Sequence, residues 1–231
     1  MANVESRIRE RFDDVSQDRE TFPAHVEPDD FEWLAVKRAL GLSTGAKVLD
    51  AGCGRGRFSR ALAGEGARVV GVDLSHRLTR AAAQLGGDFC QASVTRLPFA
   101  AESFDAVVCV EVLEHVPDVP TALAEMARVL CRGGKAVVVD KSLCSLHPRF
   151  LLPSALVKFV MERANRWMYP SGFEFAEIWF VPRVLSRQLR MHFSGVEVCY
   201  LHYTYRKWRA RGWITRLLPF LSMYVAWVAE K

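Results

Sequence analysis

The stretch from Lys47 to Asp73 constrains the fold more than any other part of the chain. An apolar run, Lys47-Val48-Leu49-Asp50-Ala51, meets the glycine-rich turn Gly52-Cys53-Gly54-Arg55-Gly56. A helix is expected over Phe58 to Ala63. A second apolar run, Arg68-Val69-Val70-Gly71-Val72, then ends on Asp73, 23 residues after Asp50. Glycines let a backbone adopt positive φ and pass close beneath a ligand. An acid at the tip of the second strand is placed to accept both hydroxyl protons of a ribose. A strand, a glycine turn, a helix, a strand and a terminal acid in series form a far more specific pattern than a lone glycine cluster.

The same rhythm continues to Asp140. A helix is expected near Arg77 to Leu85 and a short strand around Asp88 to Ala92. Phe104 to Val112 is a nearly continuous apolar run, as expected of a strand buried on both faces. A helix over Val119 to Leu130 ends at Gly133-Gly134, and a fifth strand follows at Lys135 to Asp140. Strands alternating with helices imply an α/β fold with a parallel sheet that binds ligands at the carboxyl ends of its strands. Residues 1–44 read as a polar, mostly helical cap broken at Pro23 and Pro28. Beyond Asp140, helices are expected over Phe150 to Trp167 and Pro182 to Phe193, and strands over Val196 to Thr204 and Met223 to Glu230.

Composition narrows the class. Half of the 231 residues are hydrophobic and 25% are charged, which supports a sizeable core and excludes a disordered chain. The longest uncharged stretch, Leu217 to Ala229, has 13 residues and contains Pro219. A spanning helix needs roughly 18–20, so no transmembrane segment is expected. The N-terminus shows no apolar signal region. Six scattered cysteines without a Cys-x-x-Cys pair fit a reducing, cytoplasmic setting. Residues 1–140 carry 17 Lys and Arg against 21 Asp and Glu, a net −4, whereas residues 141–231 carry 14 against 5, a net +9. The acidic part is no nucleic-acid footprint; the basic part suits an anionic substrate, a membrane surface or RNA.

The glycine turn is not a dinucleotide fingerprint, because its third glycine comes one residue early, and no P-loop is present. Asp50 before the glycines would repel a pyrophosphate. A ligand with a ribose and an amino group but no phosphate fits better. Val48-Leu49-Asp50-Ala51-Gly52-Cys53-Gly54-Arg55-Gly56 resembles the first motif of class I S-adenosylmethionine-dependent methyltransferases, and Val70-Gly71-Val72-Asp73-Leu74-Ser75 resembles their second. Leu97-Pro98-Phe99, Phe104-Asp105-Ala106-Val107-Val108, Leu113-Glu114-His115-Val116 and Leu130-Cys131-Arg132-Gly133-Gly134-Lys135 resemble the segments that follow. The resemblance spans about residues 45–141. It implies a Rossmann-like sheet of seven strands with flanking helices, mostly parallel, the last strand antiparallel, and S-adenosylmethionine as cofactor. By the same resemblance, Gly52, Cys53 and Gly54 would line the methionyl part, with Asp50 holding the turn or the amino group. Asp73 would bind the ribose and Leu74 would pack on adenine. Where the family usually has an Asp that accepts the adenine amino proton, this chain has Ser93; Val94 would offer a backbone N–H to the ring.

Glu111, Glu114 and His115 follow the fourth strand, at the strand end where the reacting methyl is expected. Three readings stand side by side. Glu111 or nearby backbone touches the cofactor while His115 shapes the loop; or His115 is a general base, as neutral imidazole near pH 7 allows; or Glu111, Glu114 and His115 bind a divalent ion that activates a hydroxyl. The Glu-x-x-Glu-His spacing resembles that of ubiquinone-pathway O-methyltransferases and small-RNA 2′-O-methyltransferases, which implies the metal option. His147 is a candidate second base or fourth ligand, and Lys141 a candidate substrate contact.

Residues 206–221 interleave five cations with Trp208, Trp213 and Phe220. Such a segment suits a peripheral membrane contact, a single-stranded nucleic acid, or an amphipathic cap packed on the protein. The apolar helix expected from Phe150 favours a greasy pocket over RNA, and no separate RNA-binding module is evident. The expectation is therefore one methyltransferase domain over 1–231: a cap to 44, a cofactor core over 45–141, and substrate-side elements from 142. It would methylate a small or lipid-like molecule, on oxygen. An RNA methyltransferase, or a membrane-associated cofactor binder without catalysis, are the alternatives.

Overall fold

A computed structural model describes residues 2–18, 22–41, 43–147, 152–166, 168–169, 173–202 and 212–231. Its strands are β1 (Lys47–Ala51), β2 (Arg68–Asp73), β3 (Asp88–Gln91), β4 (Phe104–Val110), β5 (Leu130–Lys141), β6 (Gly195–Leu201) and β7 (Tyr224–Glu230). They form one sheet in the order β3-β2-β1-β4-β5-β7-β6. β7 pairs antiparallel with both β5 and β6, while the pairs among β1 to β5 are parallel. The mostly parallel sheet with an antiparallel closing strand agrees with the expectation. Helices α1 (Ala2–Val15), α2 (Phe31–Leu40), α3 (Arg57–Gly64), α4 (His76–Ala83), α5 (Val119–Val129), α6 (Ser154–Arg163), α7 (Pro182–Leu189) and α8 (Gly212–Leu217) surround it.

β4 shows why the sheet is buried on both sides. Ala106, Val108 and Val110 point to a cluster with Trp33, Val36, Phe58 and Leu62 from α2 and α3. Val107 and Cys109 point to the opposite cluster, with Leu123 and Met126 of α5, Leu185 and Leu189 of α7, and Trp227 of β7. A strand alternates its side chains between faces, so an unbroken apolar run is what two covered faces require. Each buried Val, Leu, Phe or Met side chain among them contributes about 1.5–3 kcal/mol by leaving water.

Several boundaries differ from the sequence reading. β4 stops at Val110, because Glu111 turns the chain at φ 54. β5 starts at Leu130 rather than Lys135; the register slips between Phe104 and Ala106, and Gly133, at φ 74, carries the irregularity. α6 starts after Pro153, a residue that fits a helix start better than its interior. The expected helix from Phe150 to Trp167 reaches beyond the described residues at both ends, as does Thr204 at the end of the expected sixth strand.

The order of the strands places the site. β1 and β4 are neighbours, and their crossovers leave in opposite directions along the sheet. That reversal opens a crevice beyond the strand ends. The glycine turn after β1 and Glu111 after β4 face each other across it.

Candidate active site

The glycine turn is fixed from β2. The Gly52 and Cys53 N–H groups both donate to Val72 O at 2.8 Å, and the Gly54 N–H donates to Asp73 Oδ2 at 2.8 Å. Gly52 sits at φ 84, where a Cβ would lie 2.2 Å from Val112 Cγ2, so only glycine fits. Asp73 Oδ1 also accepts the Ser75 N–H at 2.9 Å. Burial raises the Asp73 carboxyl above its ordinary value, and these two N–H groups oppose the rise.

A cavity of about 310 Å³ opens above the turn. Gly52, Cys53, Gly54, Asp73, Leu74, Ser93, Val94 and Glu111, all expected at the site, line it together with Glu114 and His115. Asp50 does not. It is buried in the sheet and accepts the Ser59 hydroxyl at 2.5 Å, tying β1 to α3. Burial pushes its carboxyl up to about 6.

Glu111 and Glu114 converge on a side chain, and His115 stands beside Glu114 at 3.3 Å. Lys141 Nζ lies 2.6 Å from Glu114 Oε1, 3.1 Å from Glu177 Oε1 and 3.4 Å from Glu111 Oε1. Arg57 Nη2 adds contacts to Glu32 Oε2 at 2.6 Å and Glu111 Oε2 at 3.4 Å. The structure gives the metal set Glu111, Glu114 and His115 no support. Its carboxylates already hold an ammonium, whose charge would repel a divalent cation at the same place. Among the described residues no three His, Cys, Asp or Glu side chains are grouped as a metal site. Burial pushes Glu111 upward, yet Lys141 and Arg57 outweigh it and hold the carboxyl below its usual range. Glu177 likewise falls to about 2, because Lys141 and His115 overcome its burial. Glu32, deeper and beside Glu111, rises to about 8.

His115 ends a 3-10 turn, Leu113–His115, after β4. Its Nε2 lies 3.3 Å from Glu114 Oε1, and its Nδ1 is 3.1 Å from the Tyr169 hydroxyl. Phe12 of α1 meets the ring edge-on at 5.0 Å. A second cavity, of about 360 Å³, lies beyond: Arg11, Val15, Asp18, Arg166 and Met168 line it, and His115, Lys141 and Met168 are shared with the first. His147 lines neither cavity; its N–H donates to Leu152 O at 2.8 Å.

Residues 49–138 match the methyltransferase domain family. A demethylmenaquinone methyltransferase of Clavibacter sepedonicus is 33% identical over 208 residues, covering 83% of this chain and 84% of the relative. A ubiquinone biosynthesis O-methyltransferase of Hahella chejuensis is 35% identical over 211 residues, covering 85% and 83%. The chain belongs to the class I S-adenosylmethionine-dependent methyltransferases. In fold, the methyltransferase is similar to phosphoethanolamine N-methyltransferase 2 of Haemonchus contortus, solved with S-adenosyl-L-methionine: TM-score 0.71 at 17% identity, covering 97% of this chain and 60% of that one.

Five side chains at the methyltransferase's site escaped the sequence reading. Glu5, Glu32, Arg57 and Tyr224 line the first cavity, and Glu177 the second. Arg57 follows the glycine turn directly and was within reach of that motif. Glu5, Ile8 and Phe12 stand three and four residues apart on α1, a spacing that marks one helix face. Tyr224 arrives only because β7 runs antiparallel and sets it opposite Lys141. No local pattern announces Glu177.

Proposed function

We propose that the chain transfers a methyl group from S-adenosylmethionine to the oxygen of a small, lipid-like hydroxy compound, with His115 as general base. The observation that carries this reading is the position of His115, on the wall shared by two cavities. The first cavity suits the cofactor: the glycine turn for its methionyl part, Asp73 for its ribose, Leu74 and Val94 beside its adenine. A carboxylate has about four acceptor positions; two at Asp73 take backbone N–H groups, which leaves two for ribose hydroxyls. The second cavity would hold the methyl acceptor. Bound S-adenosylmethionine supplies an electrophilic methyl on a sulfonium.

The chain's own groups then handle position and proton. Glu114 Oε1 stands 3.3 Å from His115 Nε2 and fixes the charge beside the ring, and Lys141 holds Glu114 in place. That leaves Nδ1 as the atom that accepts the substrate's hydroxyl proton, where the Tyr169 hydroxyl now sits. Orientation of a base by a third group is the arrangement such catalysis needs. The names of the two relatives, a demethylmenaquinone methyltransferase and an O-methyltransferase of ubiquinone biosynthesis, support a quinone-related acceptor, and the second supports oxygen as the methylated atom.

The test of the cofactor site is Asp73→Ala. Each charge-assisted bond to a ribose hydroxyl is worth about 1.5–3 kcal/mol. Calorimetry should therefore show S-adenosylmethionine binding weakened by at least about tenfold. Unchanged affinity in the folded variant would sink the assignment.

A membrane-soluble acceptor also gives the C-terminal part a role, as a peripheral contact through residues 206–221. Residues 206–211 lie outside the described residues. Leu217, Leu218 and Phe220 are exposed, as are Leu152, Leu156, Phe159 and Val160 around α6. No described helix is long and apolar enough to cross a membrane. We expect sedimentation with anionic vesicles that weakens as salt rises without vanishing, since the apolar contribution is not screened. Binding to single-stranded RNA at matched salt, with none to vesicles, would favour the nucleic-acid alternative instead.

A further inference from the structure

The far end of the first cavity is closed by α1, and α1 measures the cavity's length. Phe12 abuts the ring of His115 at 5.0 Å, so it marks the reacting end. Glu5 stands seven residues earlier on the same face, about 10 Å away at a rise of 1.5 Å per residue. There its Oε1 takes the hydroxyl proton of Ser93. α1 is pinned in this position. Asp13 accepts the Ser75 hydroxyl at 2.5 Å and the Arg77 N–H at 3.2 Å, and Arg11 Nε donates to Met168 O at 2.9 Å.

The hydrogen-bond accounting at Ser93 is complete. Its one proton goes to Glu5. Its two lone pairs take the Thr95 N–H at 3.1 Å and the Thr95 hydroxyl at 2.7 Å, which must donate because Ser93 has no second proton. Ser93 therefore has nothing left with which to accept a bond from a ligand. Glu5 does: a carboxylate offers about four acceptor positions, one of them filled by Ser93, and the side chain stands on the cavity wall beside Ser93, Val94 and Leu74.

With the ribose at Asp73 and the sulfonium directed toward His115, the base of the cofactor extends the other way, toward Glu5. We propose that Glu5 is the group that reads the adenine, accepting a hydrogen bond from its exocyclic 6-amino group. Ser93 then acts as the strut that aims the carboxylate, and the N-terminal helix supplies a base-recognition contact that the sheet loops lack. The proposal rests on the cofactor assignment above and adds to it the part of the ligand that is discriminated.

The probe pair is S-adenosylhomocysteine and its 6-deamino analogue, in which purine replaces adenine and only the amino donor is lost. Unaltered protein should bind the amino form about tenfold or more tightly, the effect of a hydrogen bond to a charged acceptor. Glu5→Ala should weaken the amino form by a similar factor, leave the deamino form nearly unchanged, and so erase the preference. Adding Ser93→Asp to Glu5→Ala should restore part of it by returning a carboxylate to the same wall. Equal losses for both ligands in Glu5→Ala, or an undiminished preference, would overturn the part given to Glu5 while the cofactor site stands. Failure of unaltered protein to bind S-adenosylhomocysteine at all would overturn the cofactor assignment and this inference with it.

Discussion

His115→Ala should lower kcat by about 10²–10⁴-fold, the range that a positioned general base contributes. The affinity for S-adenosylmethionine should hold nearly steady, because the ribose contact we propose is at Asp73, on another strand. The loss follows from geometry: removing the imidazole leaves the cluster of Glu111, Glu114, Glu177 and Lys141 intact and takes away only the proposed proton acceptor, which faces both cavities. Exhaustive chelation with EDTA should leave the unaltered enzyme's turnover in place, since Lys141 supplies the positive charge that the carboxylates hold. Loss of turnover on chelation, restored by Mg²⁺, Mn²⁺ or Zn²⁺, would revive the metal reading. Full activity in His115→Ala would reject the base.

What could be read in advance follows the chemistry of each residue. The strands that carry the glycine turn, Asp73 and Glu111 are legible because a buried parallel strand needs unbroken apolar residues, and Gly52 is legible because nothing larger fits against Val112. Ser93 and Val94 could be placed by their distance from Leu97-Pro98-Phe99. What Glu111 and Glu114 hold depends on a long-range fact. Lys141 stands 27 residues after Glu114 and 30 after Glu111, and only the pairing of β4 with β5 brings the end of one strand beside the other. The partner of Asp50 was hidden for a similar reason, since Ser59 reaches the acid only once α3 folds back on β1. Glu5 was invisible because its meaning depends on a hydroxyl 88 residues away.

Lys141→Met is expected to be the most destabilising single change in this region. Lys141 stands largely out of solvent among three carboxylates, of which Glu114 and Glu177 are buried. Breaking a buried ion pair by removing one partner costs about 3–5 kcal/mol, because the other charge is left unpaired in a medium that solvates it poorly. For a chain of this size that lowers Tm by roughly 6–20 °C. The pH dependence identifies the cause. Burial pulls the Lys141 ammonium down, but Glu114, Glu111 and Glu177 outweigh it and hold it well above its ordinary value; Glu177 is held down to about 2 against an ordinary 4.5. A raised cation stabilises the fold below its unfolded value and loses that effect as pH rises through its folded one. A lowered acid stabilises above its unfolded value and loses that effect as pH falls through its folded one. The pair therefore contributes fully from about pH 5 to about pH 10. In Lys141→Met the same buried carboxyls, without their cation, take up protons at higher pH than in the unaltered protein. The stability difference between the two proteins should be largest near pH 7 and should shrink as pH falls toward 4, read from denaturant midpoints at each pH. A difference that stays constant over that range would mean that Lys141 acts by packing, and a difference near zero at pH 7 would mean that the carboxylates are not charged together at all.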